Sequence, residues 1–347
     1  MKKFLLVILL SQVSTIFGYS QGCVAIRNVG GISPDQLFEN MTGNEKYIFN
    51  ITNRYFEATK SFRGDKSFSD TLVTNRIFTI NLSVLRILNN GWSIGMSVPI
   101  SVNSRNNGAD HMGPLSYPKY TTHAFGLGDI RIAAYKWLWK PVNGQKGNIQ
   151  LGLGIKLPTG DYRYQDYFVR NDSTKIIAPV DQAIQLGDGG TGITAELGAF
   201  YSLSKMFNVY AQGYCLINPR DQNGVSNLKG RNPSPQQVTN NTTVMSVPDQ
   251  YSFRAGANLQ TQKFVLTAGL RYEIVPEDDL IGGNKGFRRA ASISSVEPGL
   301  TYKLKNCQLF AYMGIPFKRN IIQNAQNDMT PAAFADWIIS FGAQFKL

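Results

Sequence analysis

The stretch Trp92-Ser93-Ile94-Gly95-Met96-Ser97-Val98-Pro99-Ile100-Ser101-Val102-Asn103 decides the fold. Trp92, Ile94, Met96, Val98, Ile100 and Val102 form one apolar series. Ser93, Gly95, Ser97, Pro99, Ser101 and Asn103 form a small or polar one. A period of two puts the two series on opposite faces of a strand. Soluble strands run to about five or six residues, and this alternation is unbroken over all of 92–103. That length suits a tilted strand crossing a bilayer, with the apolar face to lipid and the polar face to a crowded lumen.

Working outward, the same alternation recurs at Ile149, Leu151, Leu153, Ile155 and Leu157. It returns at Ile193 to Tyr201, at Phe264 to Ile274 and at Trp337 to Leu347. The spacing predicts strands over 47–62, 72–88, 92–103, 127–140, 148–159, 190–203, 207–218, 250–260, 263–275, 291–304, 307–318 and 335–347. Asn89-Asn90-Gly91, Thr261-Gln262 and Lys305-Asn306 read as tight turns, whereas 104–126, 160–189 and 219–249 read as long loops. Short periplasmic turns alternating with long external loops mark an outer-membrane barrel. The expected fold is therefore all-β: a transmembrane antiparallel up-and-down β-barrel of about twelve strands spanning 47–347. Closure satisfies every backbone group in lipid. The alternate aromatics before Leu347 resemble the C-terminal signal of such barrels, with Leu in place of the more usual Phe.

Composition agrees. The chain has 347 residues, with only 17% charged and 33 glycines. Soluble domains average about 25% charged. Three cysteines give no disulfide framework, and the two histidines, His111 and His123, exclude an imidazole-rich zinc site. Lys2 and Lys3 precede an apolar run from Phe4 to Leu10, and Gly18, Ser20 and Gly22 follow. This reads as a cleaved secretory signal over 1–22, too short to span a bilayer. Residues 23–46 read as a periplasmic N-terminal extension. Ser20, where a lipidation signal has Leu, argues against Cys23 as a lipidated first residue.

Gly126-Leu127-Gly128-Asp129-Ile130-Arg131 runs into a strand with Tyr135 and Lys136. Leu151-Gly152-Leu153-Gly154-Ile155-Lys156-Leu157-Pro158-Thr159-Gly160-Asp161 follows. This hairpin, with Met313-Gly314-Ile315-Pro316 further on, resembles the outer-membrane family labelled meta-pathway phenol-degradation proteins, often called simply transporters. The resemblance implies a barrel that passes small solutes, aromatic or apolar ones among them. Long-chain fatty-acid transporters are a more distant likeness.

Lys and Arg number 35 against 23 acids, a net charge of +12. A basic rim of Arg86, Lys140, Lys146, Lys205, Lys263, Lys303 and Lys305 is expected at the periplasmic end. There Lys and Arg reach lipid headgroups. By alternation Arg54, Asp129, Arg131, Lys156, Glu196, Arg254, Arg271, Glu273 and Glu297 point into the lumen. They read either as a structural ion-pair network or as a charged constriction that selects solutes. Tyr135, Trp137, Tyr210 and Tyr214 are expected on the same face, as packing or as a slide for solutes.

Other motifs lead nowhere. Gly187-Asp188-Gly189-Gly190-Thr191-Gly192 fits a dinucleotide pattern, but a strand rather than a helix follows it. Asp188 with its glycines supplies too few oxygens for calcium. Twelve-stranded barrel-wall phospholipases carry catalytic groups on the outer face, and no His falls in any expected strand, so no enzyme is expected. Cys215 and Cys307 read as incidental. Neither a cofactor nor a nucleic-acid partner is implied. The expected partners are outer-membrane lipids and a small-molecule solute. The expected function is passive passage, gated by the three long loops. The alternative is a structural or binding barrel whose loops close the lumen.

Overall fold

The computed structural model describes residues 21–22, 46–68, 73–111, 118–142, 144–325 and 332–347. The extension apart from Lys46, and all of the signal except Gln21–Gly22, lie outside them. Among the described residues, twelve strands form the wall. They are β1 (Tyr47–Ala58), β2 (Thr74–Ile87), β3 (Trp92–Asn106) and β4, which comes in two pieces (Thr121–Leu127 and Arg131–Trp137). Then follow β5 (Gly147–Lys156), β6 (Gly192–Ser202), β7 (Phe207–Ile217) and β8 (Gln250–Gln260). The last are β9 (Phe264–Val275), β10 (Ala291–Lys303), β11 (Cys307–Ile321) and β12 (Trp337–Lys346). Each pairs antiparallel with its neighbours in sequence, and β1 pairs with β12 to close the ring.

The burial pattern inverts that of a soluble protein. Trp92 is 47% exposed and Ile94 48%, while Ser97 on the opposite face is 2% exposed. Apolar side chains face outward along the whole wall because lipid is their solvent. Trp92, Trp139, Tyr201, Phe207 and Phe264 are exposed at the end with the short turns. They form the aromatic girdle expected where a barrel meets headgroups. The turn at Asn89–Gly91 holds Asn90 at φ 58° and Gly91 at φ 75°. Asn and Gly tolerate that left-handed backbone best, which lets the chain reverse in so few residues.

Two expectations need correction. The first long loop is shorter than 104–126. Strand β3 continues to Asn106, and Thr121–Leu127 pairs with it. His123 therefore does lie in a strand. It is exposed, opposite Ser104 in the ladder. The alternation missed this piece because β4 is interrupted. Between the Ile100–Leu127 and Ser97–Arg131 pairs, β4 carries one more residue than β3. The interruption faces Pro99, which has no N–H for the ladder. Gly128 N–H donates instead to the Pro99 carbonyl at 2.8 Å. Such a bulge re-aims side chains, and Asp129 sits in it.

The second correction concerns loop 160–189, which does not stay outside. Its segment Val180, Ala183, Ile184 and Leu186 packs against Phe56, Ile77, Ala124 and Ile338. Those four project inward from β1, β2, β4 and β12, so the loop sits in the mouth of the barrel. A small sheet lies beside it at the loop end. There Ala332–Phe334 pairs with Lys60–Arg63, and Gln21–Gly22 runs parallel to Ala332–Ala333.

Candidate functional site in the lumen

All nine charged residues expected inside are there, and they form three groups. In the first, Arg254 holds Glu297 at 2.5 Å, and Arg271 reaches both Glu297 (3.4 Å) and Glu273 (2.8 Å). Arg54 comes to 3.8 Å from Glu273. Strands β8, β9 and β10 are neighbours, but β1 is not, so that last contact spans the lumen. In the second group, Arg131 on β4 pairs with Glu196 on β6, and Tyr135 Oη is 3.3 Å from both Glu196 oxygens. Arg131 also lies over the ring of Tyr214 at 5.9 Å. In the third, Lys156 bridges Asp129 (3.6 Å) and Asp188. Tyr135, Trp137, Tyr210 and Tyr214 are all buried on the inner face. Of the expected basic rim, Lys303 is half-buried and the other six are exposed.

Asp129 does more than fill space. Its Oδ1 accepts from Gly160 N–H at 3.0 Å and its Oδ2 from Asp188 N–H at 3.2 Å. These two residues are the two ends of loop 160–189, so one carboxylate ties both together. Gly187 lies so close that a Cβ would be 2.5 Å from Asp129 Oδ1 and 2.7 Å from the Gly160 carbonyl oxygen. The Gly-Asp-Gly sequence at 187–189 thus serves a close approach and not a phosphate.

Sequence reasoning missed the second attachment, further up the loop. Asp181 is buried among Arg289 (2.9 Å), Lys229 (3.1 Å) and Arg105 (3.9 Å). Asp110 shares Arg105 (2.7 Å) and Lys229 (3.3 Å). Burial opposes the charge of Asp181, but its three cations outweigh burial and hold the carboxyl well below the usual range. Asn103 Nδ2 donates to the Ile184 carbonyl at 3.0 Å, and Gln182 Nε2 to Ser246 O at 2.9 Å. The charged partners come from β3, the loop after β7 and the loop after β9. No single stretch of sequence announces them.

The hairpin of loop 160–189 (Gln165–Val169 and Lys175–Pro179) stands above this segment. Val169 N–H donates to His111 Nδ1 at 2.9 Å, and Phe168 stacks on the His111 ring at 5.0 Å. Burial pushes His111 down to about 4, aided by Arg170 and Arg231 and opposed by Asp110. His123, on the outer wall, has its Nδ1 3.8 Å from Asp166 Oδ2.

With the loop seated, a cavity of about 50 Å³ remains between it and the charged groups. Arg54, Phe56, Ile77, Pro99, Asn103 and Leu186 are among its lining. A buried water needs roughly 10–15 Å³ and a benzene-sized cavity is about 150 Å³. The space admits a few waters and no aromatic ring.

The family model described as "Putative MetA-pathway of phenol degradation" matches residues 63–320. Among solved structures, an outer membrane channel from Pseudomonas putida F1 is similar at a TM-score of 0.61 and 12% identity, covering 91% of this chain and 100% of that one. The CymD monoaromatic hydrocarbon channel is similar at a TM-score of 0.43 and 11% identity, covering 91% of each chain. A TodX monoaromatic hydrocarbon channel variant gives 0.42 and 11%, covering 90% and 92%. No curated protein matches the sequence.

Proposed function

Starting from the premise that the chain belongs to the phenol-degradation family, whose model spans most of it, we propose that this outer-membrane barrel is a gated channel. It passes small solutes, aromatic or apolar ones among them, by diffusion. Loop 160–189 is the gate. One observation carries the reading: the seated loop covers an apolar patch, Phe56, Ile77, Ala124 and Ile338, at the mouth of the barrel. When the loop leaves, that patch becomes the wall of the entry. An apolar solute then meets the same surface that held Ile184 and Leu186. Below it, the ion-paired side chains of β1, β4, β6, β8, β9 and β10 form the narrow section. No energy source is needed for such passage.

Planar-bilayer recording on the refolded protein tests this, with a variant in which residues 165–185 are replaced by a short Gly/Ser linker. The expected result is brief, rare openings for the wild type and steady openings for the variant. Vesicles holding the variant should admit phenol-sized solutes faster than vesicles holding the wild type. A folded variant that never conducts would sink the channel reading.

The same loop favours a second reading, a closed barrel that binds partners at its external face. In that case removal of the loop would open a pore without speeding entry of any aromatic solute.

A further inference from the structure

Below the seated loop the inner wall is not uniform. In the ladder Thr79 stands between Arg54 on β1 and Ser101 on β3, and Asn81 stands between Thr52 and Pro99. Ser83, the next inward residue of β2, faces Ser97. Apart from Arg54 these side chains are short, and short side chains leave the lumen beside them open. Thr52, Arg54, Thr79, Asn81 and Ser83 are half-buried. Across the lumen the wall is packed. Asn258, Thr267, Thr301 and Tyr312, on β8 to β11, are 5% exposed or less. A Cβ at Gly256 would come 2.8 Å from Tyr210 Oη, and Tyr312 takes the space that a Cβ at Gly299 would need. Rings seated on glycine in this way fill their side tightly.

The polar groups on the open side are tied to one another. Ser97 Oγ donates to Asn81 Oδ1 at 2.7 Å, and Asn81 Nδ2 donates to Ser83 Oγ at 3.2 Å. The hydroxyls of Thr79 and Ser101 are 3.0 Å apart. Amides and hydroxyls have donor and acceptor capacity beyond one such bond each. A passing hydroxyl group can therefore be handed from one to the next, with no single position holding it tightly. Passage requires that balance. An ion meets no fixed charge at Thr79, Asn81 or Ser83 to replace its hydration. The cavity beneath the loop has Arg54, Thr79, Pro99 and Ser101 in its lining, so it opens on the head of this strip.

We propose that solutes cross the barrel off its axis, along Thr79, Asn81 and Ser83, and that this strip favours small uncharged molecules bearing a hydroxyl group. The path presupposes the channel reading and adds where the solute runs and what selects it.

Thiol labelling tests the path. In a background of Cys23→Ser, Cys215→Ala and Cys307→Ser, which removes all three native thiols, Ser83→Cys and Thr267→Cys place one thiol on each wall. Both positions lie near the short-turn end of their strands. Because modification follows exposure, sulfonatoethyl methanethiosulfonate should add to the folded Ser83→Cys barrel roughly tenfold faster, read by mass. In the variant with the Gly/Ser linker, treated Ser83→Cys should lose most of its single-channel conductance and treated Thr267→Cys should keep it. Asn81→Leu in the same variant keeps the bulk and removes the amide. It should slow entry of erythritol into vesicles about threefold with conductance unchanged. Heat-modifiable migration on gels reports that each variant is folded. Equal modification of the two thiols, or a current cut through Thr267→Cys alone, would overturn the path. Erythritol entry unchanged by Asn81→Leu, or reduced only in step with conductance, would overturn the selectivity. A linker variant that never conducts refutes the channel reading itself, whereas a conducting variant with the wrong thiol response refutes the path alone.

Discussion

Arg54 on β1 and Glu273 on β9 stand 3.8 Å apart, although β10, β11 and β12 lie between their strands along the wall. The pair is a bar across the lumen. Glu273 also has Arg271 at 2.8 Å, so it keeps a partner if Arg54 is removed. Arg54→Ala should therefore fold normally and widen the narrow section. Its reversal potential under a salt gradient should move toward cation preference, because one fixed positive charge is gone. An unchanged reversal potential would remove Arg54 from the conducting path.

Asp181→Asn should unseat the gate. The substitution takes the carboxylate from Arg105, Lys229 and Arg289, of which Arg105 and Lys229 also pair with Asp110. Breaking a buried ion pair by removing one partner costs about 3–5 kcal/mol. At about 1.4 kcal/mol per factor of ten, the unseated population rises by roughly a hundredfold or more. Amide hydrogen exchange at Ile184, buried in the seated segment, reads that population on the folded barrel. Asp161→Asn, at an exposed position of the same loop, should leave that exchange unchanged.

The clasp at Asp129 predicts a graded series. Asp129→Asn keeps one acceptor oxygen and loses one of the two bonds to Gly160 and Asp188. Asp129→Ala loses both. Each buried N–H left unsatisfied costs about 1–3 kcal/mol. Gly187→Ala should resemble Asp129→Ala, because its Cβ would drive the carboxylate away. Amide hydrogen exchange at Gly160 and Asp188 should rise in that order. Protection retained in Gly187→Ala would refute the close-approach argument.

Seating should also depend on pH through His111. In the seated state burial holds the ring neutral, with its pKa near 4, and Nδ1 accepts from Val169. With the hairpin away the ring returns toward about 6.5. A histidine whose pKa is depressed in the closed state stabilises that state fully above the open-state value. The contribution fades as pH falls from about 6.5 to 4. Asp181 stays ionised through that window. The protection factor of the hairpin amides, with the intrinsic pH dependence of exchange divided out, should be flat from pH 7 to 9 and fall below 6.5. His111→Phe keeps a ring against Phe168 and should abolish the fall.

The barrel was legible because lipid outside and a polar lumen inside write a period of two into every strand. Trp92 to Asn103 and Phe264 to Ile274 carry it plainly. The nine inward charges followed from the same count. The outer half of β4 was not legible, since the bulge opposite Pro99 breaks the count and hides Thr121–Leu127 in an apparent loop. The seating of loop 160–189 was not legible either. Val180, Ile184 and Leu186 have no period, and Asp181 looks like any acid of an exposed loop. Its three cations are 76, 48 and 108 residues away, by subtraction of their numbers. Only the closed ring brings them together.

The pairing of β1 with β12 has a consequence for how the molecule comes to exist. Until that seam forms, every intermediate has two open edges with unpaired N–H and C=O groups, which hydrocarbon does not tolerate. Structure cannot then be acquired in the membrane one hairpin at a time from the first strand onward. The chain must reach the bilayer as an open polymer and insert with its edges shielded. Its first and last strands, some three hundred residues apart in sequence, have to meet before any part of the wall is stable.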